Sequence, residues 1–179
     1  MAVKAVVFDV GETLVDETRQ QEEIATGRPP APFTEADLYP DALPCIGALR
    51  ERGLLVGAAG NMRSENGSFL EPHVDFVSSS ESWGVRKPAS EFFARVCEAT
   101  GFDARDVMYV GDRVDNDVAP ALEFGMVAVH IKRGPWGRLH ETPPGARRID
   151  SLLELGCARG LDGARPGAEP PASPAVGAG

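Results

Sequence analysis

Residues 5–15 read AVVFDVGETLV, and the fold is decided there. The apolar run from Val3 to Val10 is broken by Lys4 and Asp9, is rich in β-branched residues and stops at Gly11. A run this short and this apolar suits a strand buried on both faces, the condition of a parallel sheet rather than of a half-exposed antiparallel one. Outward from it the same grammar repeats. Ala42, Ile46 and Leu49 recur at helical spacing and stop at Gly53, and Leu54 to Ala59 then forms a second strand ending in Gly60-Asn61. A glycine in that position ends a helix without Cβ strain. Val74 to Val77 reads as a shorter strand. Phe92, Phe93, Val96 and Cys97 mark a helix from Pro88 to Gly101, and Val107 to Val110 is a strand closed by Gly111-Asp112. Ala119 to Phe124 is a helix ending at Gly125, followed by a strand from Met126 to Ile131.

Strand and helix alternate throughout. This predicts an α/β fold: a doubly wound, mostly parallel Rossmann-like sheet with helices on both faces. The reading places one core domain over residues 1–158. Residues 15–40 are a residual cap or linker, because Thr18 to Phe33 is polar and holds Pro29, Pro30 and Pro32. Residues 159–179 carry almost no large apolar side chains and are expected to be a disordered tail.

The chain has 179 residues, with 18 basic against 27 acidic side chains and a formal charge of −9. A field of that sign repels nucleic-acid backbones and anionic membranes, so neither is an expected partner. A phosphate-bearing ligand must be drawn in locally, by a metal ion, a lysine or backbone N–H groups. Cys45, Cys97 and Cys157 are widely spaced with no CxxC pair, which argues against a disulfide framework. No leader-like segment is legible at the start and no apolar run approaches the roughly 18 residues of a membrane span, so the cytoplasm is the expected compartment.

In an open parallel sheet, ligands bind beyond the carboxyl ends of the strands. Asp9, Gly60-Asn61 and Asp112 all fall at such ends. Two carboxylates brought together there repel unless a cation or a shared proton lies between them. Magnesium, which takes carboxylate oxygens, water and phosphate, is the natural guest. Lys87, fixed by Pro88 behind it, would supply positive charge to phosphate or restrain a carboxylate. Taken alone, Asp9 is also compatible with a helix cap. His73, His130 and His140 are scattered and read as structural, Trp83 and Trp136 as packing, and Glu17, Glu22 and Glu23 as a solvated charge run.

The segments VVFDVGETLVDE around Asp9, Gly60-Asn61, GVRKPASEFF around Lys87 and YVGDRVDND around Asp112 resemble, in order and spacing, the motifs of haloacid dehalogenase (HAD) superfamily hydrolases. The resemblance implies a magnesium-dependent hydrolase, foremost a phosphatase, with Asp9 as the nucleophile that forms an aspartyl-phosphate. It implies Asp9, the Gly11 carbonyl and Asp112 as metal ligands, Lys87 as charge stabiliser and Asn61 with the Gly60 turn as phosphate-orienting groups. Asp117 would support the metal or Lys87, with Asn116 and Asp115 as weaker candidates.

Three departures from the family pattern matter. Gly11 stands where phosphatases of the family carry an acid/base aspartate, for which Glu12 is a candidate substitute. Gly60 stands where a hydroxyl residue is usual. The segment between Val15 and Asp41 is too short for a full helical cap, which leaves the crevice open to a large phosphorylated substrate. Two alternatives therefore stand beside the phosphatase: a catalytically weak or inactive binding protein, and a haloacid-type dehalogenase.

Overall fold

The computed structural model describes residues 3–156. In chain order its elements are β1 (Ala5–Phe8), α1 (Thr18–Ala25), α2 (Ala42–Glu51), β2 (Leu55–Gly60), β3 (Phe76–Ser79), α3 (Ser80–Trp83), α4 (Ser90–Thr100), β4 (Val107–Gly111), α5 (Ala119–Glu123), β5 (Val127–Ile131), α6 (Gly134–Leu139), β6 (Arg147–Ile149) and α7 (Leu153–Gly156). The six strands form one sheet in the order β3-β2-β1-β4-β5-β6, and every pairing is parallel. The chain winds from β1 outward to β3, then crosses back to lay β4 on the other side of β1. The topological switch point therefore lies between the ends of β1 and β4.

Side chains alternate across the sheet and build two separate cores. Val6, Phe8, Val56, Ala58, Met108, Val110, Val129 and Ile131 face one layer, packed by Cys45, Ile46 and Leu49 of α2 and by Leu152 and Leu155. Ala5, Val7, Ala59, Val107, Tyr109 and Ala128 face the other, packed by Phe92, Phe93 and Val96 of α4 and Ala121 of α5. Phe8, Phe92 and Phe93 are fully buried, each contributing about 1.5–3 kcal/mol by leaving water. Both faces are apolar because both are covered, which is why β1 reads as a continuous apolar run. Cys45 sits buried in this packing as a small apolar residue.

The sequence reading needs correction at three elements. Thr18–Ala25, read as linker, is a helix with no buried residue. It is held by Arg19, whose guanidinium donates to Asp37 at 2.7 and 2.9 Å and to Glu23 at 3.1 and 3.2 Å. The third strand begins later than its apolar run. Asp75 accepts the Val56 N–H with its side chain at 2.8 Å, so strand register starts only at Gly57 with Phe76. The sixth strand, β6, carries two arginines and one buried residue, Ile149, and gave no strand signal. The expected tail and Cys157 lie outside the described residues. Among those residues no helix is long and apolar enough to cross a membrane.

Candidate active site

Asp9 leaves the sheet immediately after β1, its N–H still bonded to the Val110 carbonyl at 2.8 Å. Asp112 follows β4, and because β1 and β4 are paired neighbours the two carboxylates meet at the switch point. A third acid is added by a wide π-type turn over Val114–Val118, closed by Val118 N–H to the Arg113 carbonyl at 3.1 Å. Turns of this kind displace a side chain from the face that a regular helix would give it. Here the turn folds Asp117 back under the site, where it accepts the Arg113 N–H at 3.0 Å. Carboxylate oxygens of Asp9, Asp112 and Asp117 lie within 4.8 Å of one another.

One cation faces this group. Lys87 Nζ donates to Asp9 at 2.6 Å and to Asp117 at 2.5 Å, and it lies 5.7 and 5.4 Å from the centres of the Phe92 and Tyr109 rings. Burial by itself would lower the lysine's affinity for its proton. Asp117 and Asp9 outweigh it and hold Lys87 well above the ordinary lysine range. The loop carrying Lys87 is clamped by Asn61, whose side-chain amide donates to the Lys87 carbonyl and accepts its N–H, each at 2.9 Å.

The charges do not balance. Burial, followed by repulsion from Asp9 and Asp117, pushes Asp112 up to about 9. Its Oδ2 atom is buried with no hydrogen-bond partner among the described residues. A buried acceptor without a donor is costly. A hard divalent ion bound through oxygen satisfies both the orphaned atom and the surplus of negative charge, so the donor set fits magnesium. His130 holds the neighbouring backbone: one ring nitrogen contacts the Asp112 carbonyl at 3.1 Å and the other the Thr142 hydroxyl at 2.7 Å.

These groups floor a crevice of about 240 Å³. Its walls include Gly11, Glu12, Glu17, Phe33, Gly60, Met62, Arg86, Arg113 and Trp136. At the mouth the Arg113 guanidinium lies 4.8 Å over the Trp136 ring. On the rim stands Glu17, whose carboxyl is raised above the ordinary range, first by burial and then by the charges of Asp9 and Glu12.

The family model described as haloacid dehalogenase-like hydrolase matches residues 28–125. The chain belongs to this family. A HAD-like hydrolase's sheet is also what the solved structures show: an HAD phosphatase from Thermococcus onnurineus superposes with a TM-score of 0.70 at 20% identity, over 86% of this chain and 96% of that one. Among curated relatives, glyceraldehyde 3-phosphate phosphatase of Methanocaldococcus jannaschii is 40% identical over 86 residues, which are 48% of this chain and 38% of the relative. (S)-2-haloacid dehalogenase 4A of Burkholderia cepacia is 26% identical over 129 residues, 69% of this chain and 55% of the relative. The chain thus spans well under two thirds of the length of these relatives.

Of the residues singled out in the sequence, this HAD-like hydrolase brings Asp9, Gly11, Glu12, Gly60, Asn61, Lys87, Asp112 and Asn116 to one crevice, with Asp117 beneath it behind Lys87. Asp115 points away and pairs with Arg113 at 2.6 Å. Gly60 has a spatial reason: a Cβ there would lie 2.8 Å from Asp9 Oδ1, so a side chain at this position would push the carboxylate that Lys87 holds. Glu12 is already engaged, accepting the Tyr39 hydroxyl at 2.6 Å. Glu17, read as part of a solvated charge run, is instead half-buried in the crevice wall, and Trp136, read as packing, is 45% exposed at its mouth. Arg86 and Arg113 also escaped the sequence reading, although both directly flank a residue that it named.

Proposed function

We propose that this chain is a magnesium-dependent phosphatase that works through an aspartyl-phosphate on Asp9. The observation that carries the reading is the buried Asp112 oxygen beside Asp9 and Asp117, which among the described residues has no hydrogen-bond partner, with Lys87 as the cation that pairs with Asp9 and Asp117 on the floor. The site holds more negative charge than its own residues neutralise, as a site completed by a divalent metal ion would.

Asp9 and Asp112, with the Gly11 carbonyl, would hold the ion. When bound, magnesium would neutralise charge on the nucleophile and on the transferring phosphoryl group. Asp9 attacks phosphorus, forming one P–O bond as the bond to the leaving oxygen breaks; covalent capture splits one hard displacement into two. Lys87 stabilises the charge that develops, already positioned by Asp117 and by the aromatic pair beneath it. Asn61 acts chiefly by fixing the Lys87 loop. Arg86 and Arg113 give phosphate the local attraction that the acidic molecule as a whole denies it. A crevice of about 240 Å³ takes the phosphate and part of the group that carries it, and the remainder of a larger substrate would extend out past Trp136.

The test is hydrolysis of p-nitrophenyl phosphate with magnesium or with chelator, for the wild type and Asp9→Asn. The expected result is magnesium-dependent turnover that falls at least about 10³-fold in the variant. Turnover unaffected by Asp9→Asn would overturn the reading, and none in the wild type would favour a binding protein. The dehalogenase reading draws on the Burkholderia cepacia relative; metal-independent halide release from a short 2-haloacid would establish it instead.

A further inference from the structure

We propose that Glu17, delivered by the start of α1, is the proton-transfer residue of the site and takes the place of the carboxylate that position 11 lacks; the proposal rests on the phosphatase reading above. A phosphate ester with a poor leaving group needs a proton on the departing oxygen, and the water that later attacks the phosphoenzyme must lose one. Four carboxylates line the crevice: Asp9, Glu12, Glu17 and Asp112. Asp9 is the nucleophile, held by Lys87, and Asp112 lies deep beside it, only 2% exposed. Glu12 is tied down. Its Oε2 accepts from Tyr39, its Oε1 faces the Glu17 N–H at 3.4 Å, and it packs so closely under Gly134 that a Cβ there would lie 2.7 Å from Oε2. Glu17 is the lining acid left with a side chain at the rim, where a leaving oxygen departs.

Its placement is specific. A Cβ built on Gly11 would lie 2.0 Å from Glu17 Oε1 and 2.8 Å from its Cδ, so the Glu17 carboxyl group fills the space that a side chain at position 11 would occupy. A side chain at position 11 and the Glu17 carboxyl therefore exclude one another: one space, one carboxylate, reached from a different point in the chain. Glu12 supports the arrangement from below as a positioning residue, through its contact with the Glu17 backbone.

In the first step Asp9 oxygen bonds to phosphorus, the P–O bond to the leaving group breaks, and the leaving oxygen takes the proton of the Glu17 carboxylic acid. In the second, water bonds to phosphorus, the bond to Asp9 breaks and releases inorganic phosphate, and the water's proton passes to the Glu17 carboxylate. Glu17 ends as it began.

The experiment uses the full chain with magnesium and a series of aryl phosphates of falling leaving-group ability, p-nitrophenyl, 4-methylumbelliferyl and phenyl. For Glu17→Gln, which keeps size and shape, kcat/KM is expected to fall least on p-nitrophenyl phosphate and most on phenyl phosphate, by about 10²–10⁴-fold at that end. Phosphoenzyme should accumulate, visible by intact mass. The same loss across the series, with no accumulation, would reduce Glu17 to a structural residue and overturn the proposal. A second pair of variants guards against misfolding: Gly11→Asp alone should be impaired by collision with Glu17, whereas Gly11→Asp with Glu17→Ala should recover activity on phenyl phosphate above Glu17→Ala alone. Absence of that rescue counts against the shared space. The two readings fail separately. Wild type without Asp9-dependent turnover sinks the phosphatase and this inference with it, whereas Asp9-dependent turnover with an unchanged leaving-group slope in Glu17→Gln sinks only this inference.

Discussion

The floor and the rim of the crevice are built on opposite plans. On the floor, Asp9, Lys87, Asp112 and Asp117 are 8%, 4%, 2% and 0% exposed and are fixed by strand ends, a clamped loop and a back-folded turn within the two-layer core. On the rim, α1 buries no residue and is secured by polar contacts: its own Arg19, with a side chain still 35% exposed, pairs with Asp37, Gln20 donates to the Ala31 carbonyl at 2.6 Å and Glu23 accepts the Ala31 N–H at 2.9 Å. The difference teaches where stability and chemistry are coupled. On the floor the same ion pairs that hold charge for catalysis also compensate each other's burial, so damage there should unfold and inactivate together. On the rim the two should separate.

The largest expected effect is therefore on the floor. Lys87→Ala removes the cation that faces two buried carboxylates, and breaking a buried pair from one side costs about 3–5 kcal/mol. Urea unfolding followed by far-UV dichroism measures this, alongside loss of p-nitrophenyl phosphate turnover. Added magnesium should restore part of the stability without restoring activity. A variant that lost activity but less than about 1 kcal/mol would mean that the floor carbonyls and water, rather than Lys87, compensate Asp9 and Asp117, and the contrast with the rim would collapse.

Apart from both floor and rim stands Asp41, at the start of α2. It accepts Arg133 at 2.9 and 2.5 Å, the Ser151 hydroxyl at 2.8 Å and the Leu152 N–H at 2.9 Å. It ties α2 to the segments after β5 and β6 and touches none of the crevice. Burial pushes its carboxyl up, but these donors together hold it below the ordinary range. A depressed folded-state value contributes stability that is present above the unfolded value near 4 and is lost as the pH falls through the folded one. Asp41→Asn should thus cost about 3 kcal/mol at neutral pH, because Arg133 is left buried without its counter-charge, and the gap to wild type should shrink below about pH 4. Midpoints of thermal unfolding across that range measure it. A gap independent of pH would show that shape, not charge, holds the junction.

The same contrast governs what could be read from the sequence. The strands were legible because a parallel sheet covered on both faces demands unbroken apolar runs, and Asp9, Asn61 and Asp112 were legible because they sit where such runs stop. Lys87 was legible as a cation fixed by Pro88, and Asp117 came from the resemblance. The rim was illegible for physical reasons: α1 has no apolar face to give a period, and its anchor joins Arg19 to Asp37, eighteen positions apart. The proline cluster just after it read as linker, although the loop returns the chain to that anchor. Glu17 had no signal at all in one dimension, since its meaning lies in the empty space at Gly11. Likewise β6 rests on sheet pairing with β5 and on Ile149 alone, too little for a pattern.

The smallest effect, and the sharpest cut between the two regions, is expected from Arg19→Ala. Its partners are Asp37, whose side chain is only 7% exposed, Glu23 and the Pro32 carbonyl at 3.0 Å. Because Arg19 itself is 35% exposed, the pair contributes about 1 kcal/mol, less in salt, so global stability should move far less than in Lys87→Ala. α1, however, then keeps the contacts of Gln20 and Glu23 with Ala31 but no buried side chain, and the carboxylate at its start should lose part of its fixed position over Asp9. Activity should then fall in the pattern of a proton-transfer defect, more on phenyl than on p-nitrophenyl phosphate, and hydrogen exchange should rise over residues 18–25 but not over β1 or β4. Raising the salt concentration on the wild type should move it part of the way toward the variant. A stability loss as large as that of Lys87→Ala would place α1 within the folding core and erase the distinction, whereas unchanged exchange over 18–25 would mean that backbone contacts around Glu12 and Tyr39, not Arg19, hold the rim.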